Sequence, residues 1–161
     1  GISISGDDVS QIQRSLSSMQ LRYEHQSQSA IKLLNWLKQQ KEFVQVLHPS
    51  DEASAGHTYW KEVCKKGHSA GLVSVILDPK YTLEDVRKFC DALTLFKLGF
   101  SWGGPVSLVM LYNLNEMRSL EHTHLKQGFL VRFCIGLEHA SDLIQDIEYA
   151  LQQMQQKKLN R

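Results

Sequence analysis

Apolar residues recur at Ile12, Leu16, Met19, Tyr23, Ala30, Leu33, Leu34 and Leu37. This is the three-and-four spacing of one helix face, and it predicts a single long helix over residues 8–40. The stretches SSMQ and HQSQS inside it are weak helix formers. A helix this long exceeds what one small domain needs: it either packs across the whole domain or forms a spine that continues into another unit. The pattern then changes. FVQVLHP (43–49) is a β-rich run stopped by Pro49, and LVSVIL (72–77) is a strand ending at Asp78-Pro79. HTYWKEVC (57–64) reads as a short helix. TLEDVRKFCDAL (82–93) reads as an amphipathic helix with Thr82 as N-cap and Asp85 placed for a capping box. LFKLGF (95–100) is a possible strand, and VSLVMLYN (106–113) reads as helical although its short apolar run is ambiguous. A strand over 129–135 precedes a final helix over 139–157, whose Leu143, Ile144, Ile147, Ala150, Leu151 and Met154 form one stripe. The order predicts an α+β fold: a small, mostly antiparallel sheet of about four strands, helices packed on one face, and a long helix in front.

Composition narrows the function classes. A chain of 161 residues can bury one real core. Its net charge of +1 gives no reason to expect a nucleic-acid or acidic-membrane partner. No apolar run approaches the roughly 20 residues that cross a bilayer. The opening GISISGDDVSQ lacks the apolar core of a signal peptide, and Gly1 in place of Met points to a fragment or a trimmed chain. Cys64, Cys90 and Cys134 are odd in number and widely spaced, which fits a reducing cytoplasm better than a disulfide framework.

Candidate chemistry is sparse. His122 and His124, with Glu121 beside them, have a spacing that could serve one metal ion, but no third ligand is evident. His57 and His68 could pair with Cys64, and His48 before Pro49 reads as a strand-end residue. Cys64 and Cys134 fall on expected core faces, where cysteine acts as a small inert hydrophobe. SWGGP lacks the spacing of a phosphate loop. The residue that needs explaining is Arg132, in GFLVRFCIGLEH. At period two, Phe129, Val131, Phe133 and Ile135 share one face, and Leu130, Arg132 and Cys134 share the other. A guanidinium stays charged, so a part-buried one needs an anionic partner. That partner is either a carboxylate of the protein or the carboxylate of a bound molecule.

Taken together, several segments resemble a known family. LGFSWGGPVSL, LVRFCIGLEHASDLIQDIEYAL, HPSDEASAGHTYWKEVCKKGHSAGLVSVIL and RSLSSMQLRYEHQSQSAIKLLNWL are similar to the C-terminal part of the Cys/Met-metabolism enzymes that use pyridoxal phosphate. The pattern is met by Ser101, Trp102, Gly103, Gly104, Ser107, Leu108, Arg132, Gly136, Glu138, Asp142 and Asp146, and the tryptophan of SWGG leans toward the cystathionine β-lyase branch. Phe100 stands where the family often has tyrosine, Pro105 and Val106 replace a usual glutamate region, and His139 follows Glu138 where aspartate is usual.

The resemblance implies that residues 1–40 are a helix linking to a large domain outside this chain, and that 41–161 are the small C-terminal α+β domain. It implies that Arg132 binds the substrate α-carboxylate, with Ser101 and Trp102 lining the same pocket. Pyridoxal phosphate would be held by the large domain, which carries the S-x-T-K lysine in this family, so the chain itself would contribute no catalytic, cofactor-binding or metal residue. The parent would cleave cystathionine to homocysteine, ammonia and pyruvate as a homotetramer, and the isolated chain could dimerise. The alternative is a stand-alone α+β interaction domain in which Arg132 pairs with a protein carboxylate and SWGG is only a turn.

Overall fold

The expected long helix is two helices. The computed structural model describes residues 3–65, 67–117, 121 and 123–156. Helix α1 spans Gly6–Leu16 and α2 spans Met19–Leu37. The break falls at Ser17 and Ser18. The Ser17 hydroxyl donates to the Arg14 carbonyl at 2.9 Å, and Ser18 turns out of the helix at φ −109° and ψ 3°. Serine hydroxyls that bond back to preceding carbonyls compete with the helical ladder, and here two occur in succession. The halves differ in burial as well. No residue of α1 is buried, whereas α2 buries Ala30, Leu33, Leu34 and Leu37.

After α2 the elements are β1 (Phe43–Leu47), α3 (His57–Val63), β2 (Leu72–Leu77), α4 (Leu83–Ala92), β3 (Lys97–Leu98), β4 (Leu108–Asn113), α5 (Leu114–Met117), β5 (Phe129–Cys134) and α6 (Ala140–Gln156). The sheet has five strands in the order β1-β2-β5-β4-β3. All neighbours are antiparallel except β3 and β4. The sheet is therefore mostly antiparallel, as the pattern predicts, but it contains one more strand than expected. The extra strand is β4, which the pattern assigned to a helix. Its residues alternate across the sheet: Val109 is fully buried with the core, while Leu108, Met110 and Tyr112 are half-buried on the other face. The run 95–100 contributes only the two-residue β3. Thr82 and Asp85 do form the capping box that starts α4.

The core lies between the sheet and α2, α4 and α6. Val73, Val75 and Leu77 of β2 and Val131 and Phe133 of β5 meet Val86 and Phe89 of α4 and Leu143 and Ile147 of α6, all with no exposed surface. Phe133 is the hub: its ring centre is 5.0 Å from that of Phe96 and 6.4 Å from that of Phe89. At roughly 1.5–3 kcal/mol for each large apolar side chain buried, this layer dominates the stability of the fold. It also fixes which residues of β5 face away from the helices. With Val131 and Phe133 inward, Leu130 and Arg132 must face outward.

Candidate functional site

Arg132 lies mid-strand, in register with Ser74 of β2 on one side and Met110 of β4 on the other. A central strand with hydrogen-bonded neighbours on both edges is a rigid mount. The small Ser74 side chain leaves room on the β2 side, and the long Arg132 side chain runs over β4 toward the 100–104 turn. There its Nη2 donates to the Phe100 carbonyl at 2.7 Å and, more weakly, to the Ser101 carbonyl at 3.4 Å. The guanidinium carbon is 5.7 Å from the ring centre of Trp102 and 5.7 Å from that of Tyr112. Nε is covered and has no hydrogen-bond partner, and among the described residues Nη1 makes no hydrogen bond either. The ion pairs among the described residues are Lys38–Asp51, Lys80–Asp78 and Lys88–Glu84, and none involves Arg132.

The structure thus brings together the three residues singled out by sequence. Arg132 is half-buried, and Ser101 and Trp102 are exposed beside it. Trp102 also forms part of a cleft of about 190 Å³, together with Met19, Tyr23, Leu72 and Cys134. Arg132 itself does not line that cleft; Trp102 stands at its edge and carries the guanidinium on its ring.

The turn is held by residues whose letters belong to the motif but whose work is structural. Gly103 adopts φ +75° and donates its N–H to Cys134 Sγ at 3.3 Å. The Gly104 carbonyl accepts from Gln26 Nε2 at 2.7 Å, and the Pro105 carbonyl accepts from the Leu137 N–H at 2.8 Å. Ser107 is fully buried; its N–H and hydroxyl donate to the two carboxylate oxygens of Glu138 at 2.9 and 2.7 Å, and its hydroxyl accepts from the Gly136 N–H at 2.9 Å. Gly136 must be glycine for lack of room. A Cβ there would meet Glu138 Oε2 and the Pro105 carbonyl at 2.5 Å and the Ser107 nitrogen at 2.6 Å. Asp146 of α6 braces the next segment: its carboxylate accepts from the Thr94 N–H and hydroxyl and from the N–H groups of Leu95 and Phe96, at 2.7 to 3.3 Å.

The other candidates are otherwise engaged. His122 lies outside the described residues, and among the described residues no three metal-ligating side chains cluster. His57 Nδ1 is 2.9 Å from the Pro49 carbonyl, and the His68 ring stacks on Tyr23 at 5.7 Å. His48 follows β1 as expected but is nearly fully buried; burial outweighs the pull of nearby Asp51 and lowers its pKa to about 4. Cys90 and Cys134 are buried, and burial pushes the Cys90 thiol up to about 12 and raises that of Cys134, so both stay protonated. Cys64 is exposed, contrary to the core position expected for it. It caps the C-terminus of α3, a helix with no buried residues, so the apolar face inferred there does not exist.

Residues 1–152 match the model of the Cys/Met metabolism PLP-dependent enzymes, and the chain belongs to that family. It is 35% identical to the cystathionine beta-lyase of Bordetella avium over 151 residues, which are 94% of this chain and 37% of that protein. It is 30% identical to an L-alanine/L-glutamate racemase of Wolbachia pipientis over 94% of this chain and 37% of the racemase. Among solved structures, an O-acetylhomoserine sulfhydrylase from Wolinella succinogenes superposes with a TM-score of 0.78 at 25% identity, over 94% of this chain and 40% of that one. The chain therefore spans a little over a third of the length of the curated relatives it matches.

Proposed function

We propose that this chain is the substrate-orienting small domain of a pyridoxal-phosphate-dependent carbon–sulfur β-lyase that cleaves cystathionine to homocysteine, ammonia and pyruvate. Arg132 is the clamp for the substrate α-carboxylate, and Ser101 and Trp102 line the same pocket. The observation that carries the reading is an arginine held on a rigid strand beside the SWGG turn, with no ion-pair partner among the described residues. A planar fork can give a carboxylate two parallel hydrogen bonds, so it fixes orientation as well as charge. The relatives are named for different activities, but cystathionine, alanine and glutamate share the α-amino acid carboxylate that such a fork would hold. The alternative, an interaction domain with Arg132 in an internal ion pair, requires a protein carboxylate that the described residues do not supply.

The described residues of this chain offer no suitable lysine for the cofactor. No described lysine is buried, and the best fixed of them, Lys38, is ion-paired with Asp51 at 2.7 Å. Pyridoxal phosphate and its lysine belong to the large domain, outside these residues. Residues 1–40 then link the two domains. The exposed stripe of Val9, Ile12, Leu16 and Met19 is the surface the large domain covers. Uncovered, it makes the isolated chain self-associate, which sedimentation over a concentration series would detect; a monomer at all concentrations would count against it. By the family resemblance the parent is a homotetramer.

The test is a chimaera in which these residues replace the matching segment of the Bordetella avium enzyme. With pyridoxal phosphate, it should release thiol from cystathionine. The chain alone should release none and should show no aldimine absorbance after incubation with pyridoxal phosphate and dialysis. A chimaera that folds and holds cofactor but acts on no sulfur amino acid, or a chain that fixes the cofactor by itself, would overturn the reading.

A further inference from the structure

Tyr112 carries no role in the motif that points to Arg132, yet it is placed to act on it. On β4 it lies two residues beyond Met110, the residue directly opposite Arg132, and so on the same face and diagonally across the ladder. Long side chains reach each other across such a diagonal. The Tyr112 ring is as near to the guanidinium as the Trp102 ring is, 5.7 Å in each case. Tyr112 is itself backed by Phe100, edge to face at 6.5 Å, and the Phe100 carbonyl takes the 2.7 Å hydrogen bond from Arg132 Nη2. Arg132, Tyr112 and Phe100 thus form a closed triangle of contacts.

The chemistry of this support bears on function. An arginine has five N–H donors, all in the plane of the guanidinium. A protein carboxylate could orient that plane only by consuming the donors a ligand needs. An aromatic ring holds a cation through its π electrons and takes no hydrogen bond. The site orients Arg132 with two rings and a backbone carbonyl, and Nη1 is left without a partner among the described residues.

We propose that Tyr112 is a positioning residue for carboxylate recognition: its ring holds the Arg132 guanidinium ready without taking up a hydrogen-bond donor, so that Nη1 stays available to a ligand. The proposal rests on the reading of Arg132 as a carboxylate clamp. It is tested on the chain itself, by following the Arg132 Nε–Hε resonance in a proton–nitrogen NMR spectrum. The resonance is assigned by its loss in Arg132→Lys, and the probe is sodium propionate titrated against sodium chloride of equal ionic strength. In the wild type the resonance should shift saturably with propionate alone. Tyr112→Leu should weaken apparent affinity about threefold or more, the size expected from one exposed cation–π contact, and move the free resonance as the ring current is lost. Tyr112→Phe should retain the wild-type affinity. If Tyr112→Leu fails to fold, Tyr112→Val, a strong strand former, takes its place. Equal propionate affinity in wild type and ring-less variants would overturn the role of Tyr112 and leave the clamp intact, as would a loss in Tyr112→Phe matching that in Tyr112→Leu. No response of Arg132 to propionate in the wild type would overturn the clamp and this inference with it.

Discussion

Asp146 and Arg132 are charged residues of the same chain, and the fold treats them in opposite ways. Asp146 is buried and its two oxygens accept hydrogen bonds from Thr94, Leu95 and Phe96, groups of its own chain. Arg132 is half-buried and its hydrogen bonds go to two neutral carbonyls, with rings at its faces. Glu138 sides with Asp146, since both its oxygens are taken by Ser107. A carboxylate saturated from within is spent on structure. A charge oriented but left unneutralised is available to a ligand. The motif letters alone do not separate these two classes; the partners do.

If that division is right, stability and binding should respond to different residues. The largest stability loss should come from Asp146→Ala, which strands the N–H groups of Thr94, Leu95 and Phe96. The cost should be about 3–4 kcal/mol, read by urea denaturation. A loss under about 1 kcal/mol would remove Asp146 from the structural side. Gly136→Ala should come next, at about 2–3 kcal/mol, because the added Cβ is driven into the Pro105 carbonyl and the Ser107 nitrogen. Its effect on the melting temperature should exceed that of Gly56→Ala, where the added atom meets open space.

Acid sharpens the contrast, because Arg132 cannot lose its charge while His48 must gain one. His48 titrates at about 4 in the fold against an ordinary 6.5, because it is buried. The folded state therefore binds fewer protons than the unfolded chain between those values. Stability contributed by neutral His48 is fully present above about pH 6.5 and is lost as pH falls toward about 4. The loss should be on the order of 1–2 kcal/mol by pH 5. His48→Gln should flatten that part of the stability curve, and an unchanged slope would contradict the assignment. The smallest stability effect should be that of Arg132→Leu, about 1 kcal/mol or less, since it breaks no ion pair, and the loss of the hydrogen bond to the Phe100 carbonyl is offset by removing a covered, unpartnered Nε.

What the sequence disclosed follows the range of the interaction. The capping box of Thr82 and Asp85 and the two faces of β5 are local, and both were legible. β4 reads as a helix in the sequence because both its faces are apolar: Val109 and Leu111 point to the core and Met110 and Tyr112 away from it, so no polar alternation marks it as a strand. The break at Ser17 and Ser18 was hidden under an apolar spacing that runs unbroken through it. Glu138 and Asp146 stood in the motif, but their partners Ser107 and Thr94 lie far away along the chain and no local period points to them. The placement of Arg132, Ser101 and Trp102 side by side came from the family resemblance rather than from any pattern of polarity. Tyr112 was missed because its link to Arg132 is a diagonal across two strands.

The most direct test of the central claim is Arg132→Lys in the cystathionine-cleaving chimaera, which keeps the charge and loses the fork. The KM for cystathionine should rise tenfold or more, equivalent to about 1.5–3 kcal/mol for one charge-assisted contact. Bound pyridoxal phosphate and the melting temperature should stay as in the parent. An unchanged KM, or a loss of stability as large as that of Asp146→Ala, would place Arg132 with the structural residues and contradict the account.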